Sequence, residues 1–482
     1  MRKKFKSQYE IGITSIEDID IPITRHELHP VLCSLQHIYS EKVLFDKILT
    51  ILSTKIRIQK KGRPGLSLWE ILVLAVIRLT LGIDYDWLSD QANSHDLIRG
   101  ILGAHRFGGA GKKYPRQTIM DNISHLDDSL IDDINKLVVE EGHRLTKTSD
   151  SQDLEVKVDS YPIESNVHFP TDINLLWDSG RVSLDQIIQI LGVAQVEGWR
   201  KVDYLTRRLK NLFINLNKIA FKGGKNKEER VVNATIEYLS LAIKISERIK
   251  ETRPELYRVA SGSIMANLAL NKLDYFEEML DKHIDLVYRR IIKNEKIPHD
   301  EKLFSIFETY TRWINKGKSG NRIELGLPVT ICTDQFGFIV HHQIMETEQD
   351  VDVAIPVTNY LTEHYPIKSI SFDKGYWSKI NYKAISEKVE HTIMPKKGKL
   401  NKEENVREHS LDFVIRRKRH SAIESNINGL EHHGLNRCPD KGLKNFRRYV
   451  SLGVLSYNLH KLGDVLQAND KKKEKESYPI AS

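Results

Sequence analysis

The feature that most limits the folds open to this chain is a gap in its strand pattern. Strand-like alternation appears at 154–169 and again between 329 and 394, and the residues between, 172–326, carry only helical pattern. Leu154, Val156 and Val158 alternate with Glu155, Lys157 and Asp159, the period of a half-buried strand. Ser160-Tyr161-Pro162 predicts a turn, and Ile163, Ser165, Val167 and Phe169 resume the alternation, so a hairpin is expected. Val329 to Thr333 and Phe338 to Met345 flank Asp334-Gln335-Phe336-Gly337 as a second hairpin. Ser369 to Asp373 is a short strand that ends in an acid, and His391 to Met394 is the last one. Helices fit Asp352–Glu363 and Ser378–Lys388 between them. So few strands on either side of the gap cannot make two separate sheets. The expectation is one mixed α/β domain, 152–171 with 327–463, interrupted by an all-helical insertion at 172–326.

The rest of the chain reads as helix. In 1–147, Leu28, Val31, Leu32, Leu35 and Ile38 recur at helical spacing. Leu68, Ile71, Leu72, Ala75 and Leu79 do so again, behind Ser67 as an N-cap and after a KKGRPG break at 60–65. A single helix is expected over 117–145. Helices in the insertion are expected over 183–192, 200–221, 228–252, 264–293 and 299–316, with a break at 316–321. Two more, 420–433 and 442–462, precede a basic tail at 464–482 that is expected to be flexible.

Composition narrows the partners. Lys and Arg number 73 against 65 Asp and Glu, a net charge of +8 that favours a polyanion. A hydrophobic fraction of 40% excludes wholesale disorder. Cys33, Cys332 and Cys438 are scattered and odd in number, which suits a reducing compartment better than a disulfide framework. The most apolar run, Ile71 to Ile77, is stopped by Arg78 far short of a bilayer span, and MRKKFKSQYE has no apolar segment behind it. A cytoplasmic protein with no membrane partner is expected.

Three acids stand where chemistry is built. Asp159 ends the first strand, Asp373 ends a later one, and Glu424 lies on a helix after the last. Strand ends and helix faces meet at one end of a mixed sheet, so these carboxylates can converge. Crowded carboxylates repel, and a hard divalent cation relieves them while still binding phosphate oxygens. On the Glu424 helix, Ile423, Ile427 and Leu430 form an apolar stripe beside a polar one of Glu424, Asn428 and Glu431. Arg416, Arg417, Lys418 and Arg419 come just before, where a phosphate backbone would pass. They close a basic linker at 396–419.

Other patterns carry less. GGAGKK at 108–113 lacks the spacing of a nucleotide loop, so no ATP use is expected. His432, His433 and Cys438 lack a fourth zinc ligand, and Gly434 reads instead as a helix end. His341 and His342 face opposite sides of a strand, His168 reads as a surface residue, and Asp172 and Asp178 read as helix-start acids. Arg116 and Gln117 open a helix that is either the recognition helix of a helix-turn-helix or a plain packing helix.

Long segments then resemble one family. VKVDSYPIESNVHFPTDINLLWDSGR at 156–181 and SISFDKGYWS at 369–378 look like the two aspartate blocks of bacterial insertion-sequence transposases. RRKRHSAIESNINGLEHHGLNRCPDKG at 416–442 resembles the glutamate block of the ISNCY family in particular. The segments at 5–19, 62–79, 332–350 and 394–404 are similar to that family too, so the likeness runs in order along nearly the whole chain. It implies an RNase H-like catalytic domain with the triad Asp159, Asp373 and Glu424, and two Mg²⁺ ions, with Mn²⁺ as a substitute. It also implies a helical DNA-binding region at the N-terminus. The activity implied is cleavage at the terminal inverted repeats of an element, then strand transfer into target DNA, by a dimer or larger assembly. Some related groups carry an Arg and a Lys after the catalytic Glu; residues 425–431 here hold neither. A nuclease without strand transfer, or a DNA binder without catalysis, are the other readings of the same residues.

Overall fold

The computed structural model describes residues 14–24, 26–56, 65–104, 111–147, 152–315 and 323–477. The expected breaks at 60–65 and 316–321, the Gly-rich loop before Gly111 and the family-like segment at 5–13 lie largely or wholly outside them. The chain forms two compact units: Met1–Asn166 with Ile314–Ser482, and Val167–Trp313.

The first unit opens with helices. These are α1 (Leu28–Ser40), α2 (Lys42–Lys55), α3 (Leu68–Thr80), α4 (Tyr85–Ser94), α5 (Asp96–Ile101), α6 (Arg116–Ile123) and α7 (Asp128–Thr146). Ser67 caps α3 as expected, in a reciprocal pair with Glu70. The single helix expected over 117–145 is two. The chain turns after Ile123, and Asp127 restarts it by accepting the Leu130 N–H at 3.0 Å.

A six-stranded mixed sheet follows. Its strands are β1 (Leu154–Glu164), β2 (Arg312–Asn315), β3 (Ile323–Thr333), β4 (Ile339–Ile344), β5 (Ile367–Phe372) and β6 (His391–Ile393). The order is β2-β3-β1-β5-β6, and β4 also pairs with β3. β1 runs antiparallel to β3 and parallel to β5, and β5 runs parallel to β6. The protein is thus a mixed α/β protein, mostly helical.

Two expectations in and beside the sheet fail. The hairpin at 154–169 is one continuous strand, because Ser160-Tyr161-Pro162 passes straight through it. Pro162 lies opposite Pro328, beyond the point where β5 stops pairing with β1. Two facing prolines suit a pair that exchanges no N–H bonds, so neither breaks the ladder. The helix expected over 299–316 is a series of turns ending in β2, where the run Thr309-Tyr310-Thr311-Arg312-Trp313-Ile314 is rich in strand formers. The second hairpin forms as expected, β3 against β4.

Later helices are α12 (Asp350–His364), α13 (Lys379–Ser386), α14 (Lys402–Glu408), α15 (Leu411–His420), α16 (Ala422–Leu430) and α17 (Leu443–Ser477). The expected flexible tail is instead largely the last part of α17, where the Lys and Glu run favours helix. α17 packs against α1, α3, α7 and β4. Gly463 lets it touch α1: a Cβ there would collide with the Pro30 carbonyl. Asn458, fully buried, completes the start of β4. Its Oδ1 accepts the Ile339 N–H at 2.9 Å, and its Nδ2 donates to the Ile339 carbonyl and to Asn135 Oδ1, both at 2.8 Å. Asn458→Leu strands these buried groups. It is expected to lower unfolding free energy by about 2–3 kcal/mol in urea titration, against about 0.5 kcal/mol for a surface change.

The second unit holds α8 (Asp172–Leu191), α9 (Val202–Phe221), α10 (Lys227–Ala260) and α11 (Ile264–Val287). Its own core gathers Leu184, Ile187, Trp199, Leu209, Tyr238, Ile245 and Leu280. No described helix is long and apolar enough to cross a membrane.

Candidate active site

The site is built where β5 ends beside the middle of β1; Asp159, expected to end the first strand, lies midway along it because the strand runs on to Glu164. Lys157 and Val158 pair in parallel register with Ser371 and Phe372. Asp159 comes next within β1 and Asp373 is the first residue past β5, so the two acids lie side by side on neighbouring strands. Side chains alternate, and Lys157, Asp159, Ser371 and Asp373 therefore share one face of the sheet. α15 packs against β5 and β6 on that face, and α16 packs against β1. His420 Nδ1 lies 3.0 Å from Ser371 Oγ. Ile423 and Leu430 are buried, whereas Glu424, Asn428 and Glu431 are exposed, as the two stripes predict.

Electrostatics ties the acids together. Burial pushes the half-buried Asp159 carboxyl up to about 7. The Ser160 N–H, 2.8 Å from Oδ1, offsets part of this, and the charges of Asp373, Asp350 and Glu424 push it further up. Asp159 thus senses both of its expected partners and a fourth acid. His420 is held below the ordinary imidazole range by burial first. Asp373 and Glu424 pull it up, while Lys157 and Arg417 push it down. Lys157 is lowered by burial, with Asp334 and Glu155 opposing.

The donors are carboxylate oxygens, the class that suits Mg²⁺, and their mutual repulsion is what a divalent cation relieves. Among the described residues no three His, Cys, Asp or Glu side chains are drawn close enough to close on one ion as they stand. Glu424 is exposed on α16, so its side chain is free to swing inward. The site fits the cation in donor chemistry and in neighbourhood, and closure on it requires side-chain movement.

Comparison with protein-family models, with curated proteins and with solved structures finds no match for the chain.

The cationic residues divide. Arg416 is committed: it donates to Glu155 at 3.1 Å and to Asp412 at 2.8 Å. Arg419 also reaches Glu155, at 3.1 Å, but stays exposed, as do Arg417 and Lys418. Arg116 and Gln117 are exposed at the start of α6, where Arg116 pairs with Asp86 at 3.0 Å and Gln117 with Asp121 at 2.7 Å. They lie on a different element from the acids, with no role visible in the acid cluster.

The lesser patterns resolve into structure. His433 hydrogen-bonds His460 at 3.0 Å, and Gly434 takes φ +81° as a helix end should. His341 stacks on Tyr360, while His342 lies 3.2 Å from Ser451. His168 is exposed. Asp172 follows the cap residue Thr171 and pairs with Arg290 at 2.6 Å, and Asp178 is buried beside His168 and Arg181. Lys112 is bound to Glu70 at 2.5 Å.

Sequence reasoning missed Asp350 and His420. Asp350 opens α12, where an acid reads as complementing the helix dipole. His420 ends a run of four cations and reads as one more of them. Its spacing from Glu424, four residues, was the available signal.

Proposed function

We propose that this chain is a DNA transposase with an RNase H-like catalytic domain. It would bind the terminal inverted repeats of an insertion sequence, cut there, and join the freed 3′ ends to target DNA. One observation carries the reading: Asp159, midway along β1, and Asp373, just past the end of the adjacent parallel β5, lie side by side under the helix that bears Glu424, and Asp159 carries the electrostatic load of both. The sheet order supports it. An antiparallel β1–β3–β4 set continued by parallel β5 and β6, with helices after the last three strands, is what an RNase H-like domain would need.

In this reading Asp159, Asp373 and Glu424 hold two divalent cations, Mg²⁺ or in its place Mn²⁺. Bound there, the ions would sharpen the attacking oxygen and stabilise the leaving one in an in-line displacement at phosphorus. The chain's own residues do the positioning. The sheet fixes two carboxylates rigidly, and α16 supplies the third on a movable side chain. Exposed Arg417, Lys418 and Arg419 lie one turn before it, where they can hold the DNA backbone by charge. Arg116 and Gln117, with the N-terminal helices, are the elements assigned to end recognition. Two ends must be joined, so a homodimer or larger assembly on DNA is expected.

The test is a duplex that contains one element end, incubated with the purified chain, Mg²⁺ and a second duplex. The expected result is a nick at the end and a product in which its 3′ terminus is joined to the second duplex. Cleavage without joining would make the protein a nuclease. Binding without cleavage in either Mg²⁺ or Mn²⁺ would leave a DNA-binding protein and remove the catalytic reading.

A further inference from the structure

We propose that Asp350 is a positioning residue of this site, which holds the middle of β1 and the turn after β5 in fixed relation. The inference rests on the active-site reading above and adds a residue to it. Asp350 Oδ1 accepts the Ser160 hydroxyl at 2.6 Å. Ser160 in turn donates its backbone N–H to Asp159 Oδ1 at 2.8 Å. Ser160 and Asp159 point to opposite faces of β1, so one residue links a carboxylate behind the sheet to a carboxylate in front of it. The hydroxyl–carboxylate bond is of the short, charge-assisted kind, roughly twice as strong as a neutral one.

The other oxygen of Asp350 meets the second strand end. A Cβ built on Gly375 would come within 2.6 Å of Asp350 Oδ2. The turn Asp373-Lys374-Gly375 therefore packs directly on this carboxylate, which a Cβ at Gly375 would push aside. Tyr376 closes the same spot: it is fully buried, and its hydroxyl lies 3.4 Å from Thr330 Oγ1. One carboxylate, at the first residue of α12, thus touches the element that carries Asp159 and the element that carries Asp373. The two acids come from strands some two hundred residues apart in sequence, with about a whole unit of chain between them. A tie between those two places sets their separation, and an error of about 1 Å in such a separation can cost 10²-fold in rate.

The experiment compares Asp350→Ala, Ser160→Ala, the double variant and Asp350→Asn with wild type in the full chain. Three quantities are read: kcat and KM for cleavage of the end duplex, Mn²⁺ affinity by electron paramagnetic resonance without DNA, and thermal unfolding. Asp350→Ala is expected to lower kcat about 10²-fold with KM for DNA within about twofold. Mn²⁺ affinity should fall about 10- to 100-fold, as for other residues that orient metal-binding carboxylates. Ser160→Ala should show much of the same loss, and the double variant little more than Asp350→Ala alone, since the two act through one bond. Asp350→Asn keeps an acceptor for Ser160 and should recover about tenfold of the lost rate. Losses that multiply in the double variant, or wild-type kcat and Mn²⁺ affinity in Asp350→Ala, would overturn the inference while leaving the active site standing. A variant that merely unfolds is recognised by its thermal transition, and Asp350→Asn then decides the matter. If wild type neither cleaves DNA nor binds Mn²⁺, the active-site reading fails and this inference goes with it.

Discussion

Asp159→Asn is expected to abolish cleavage and, at neutral pH, to make the protein more stable. Loss of one carboxylate from a two-ion site removes several kcal/mol of transition-state stabilisation, a fall of about 10³-fold or more in kcat. Glu424→Ala and Asp373→Asn should fall as far. The stability gain follows from the titration of Asp159, whose folded carboxyl is pushed up to about 7 by burial and by three neighbouring acids. In the unfolded chain the same group ionises near pH ~4. Between those values the folded state keeps a proton that the unfolded state has lost. Stability from this group is therefore complete at low pH and is lost as pH rises from about 4 through 7. Asparagine has no proton to lose. Relative to wild type, Asp159→Asn should gain nothing at pH 4 and about 2 kcal/mol at pH 7, a value reduced for the partial exposure of the group. Thermal unfolding across that range measures it. Adding Mg²⁺ should narrow the gap by stabilising wild type alone. An equal effect of the variant at both pH values would mean that Asp159 carries no such burden.

Asp440→Ala is expected to be the most destabilising single change away from the site. Arg78, 3% exposed, places its guanidinium on Asp440 with two bonds, at 2.7 and 3.1 Å. Arg448, also buried, reaches the same carboxylate at 3.4 Å. The Tyr85 ring lies 4.0 Å beneath the Arg78 guanidinium, and its hydroxyl accepts a bond at 3.1 Å. Removing the carboxylate leaves two buried cations facing one another with no anion between them. Breaking such a pair from one side costs about 3–5 kcal/mol. Asp133→Ala, which removes the partly exposed partner of Lys136, should cost under about 0.5 kcal/mol. Urea unfolding of the two variants separates the cases. Asp440 joins α3 to the stretch before α17, so the loss should loosen the N-terminal helices first, as protease susceptibility would report.

The sequence and the structure agree where periodicity is strong and part where context decides. α1, α3 and the second hairpin were legible because their apolar spacing is regular and their caps or turns are of ordinary chemistry. The path of β1 through Ser160-Tyr161-Pro162 was not. A proline and a serine read locally as a turn, and only the facing Pro328 shows why the strand continues. β2 was missed for a related reason: four residues are too few for a period, and pairing with β3 makes them a strand. In the site, Asp373 and Glu424 could be placed from a strand end and a helix stripe, whereas Asp159, expected at a strand end, lies midway along β1 because the strand continues through Ser160-Tyr161-Pro162. Asp350 could not, because its role depends on a hydroxyl on another strand and on the bare backbone of Gly375. His420 was legible in principle and was masked by the arginines beside it.

The position of the second unit between β1 and β3 has a consequence for synthesis on the ribosome. β1 is complete at Glu164, but β3 begins only at Ile323 and β5 at Ile367. At a translation rate of about 5–20 residues per second, the first strand waits roughly ten to thirty seconds for its neighbour. Meanwhile α8 to α11, contiguous and rich in local contacts, can fold at once. The sheet therefore zips together late, and the acids meet only after Glu424 has left the exit tunnel. In the proposed reading, a nascent polypeptide that emerges beside nucleic acid stays inert until Glu424 has emerged.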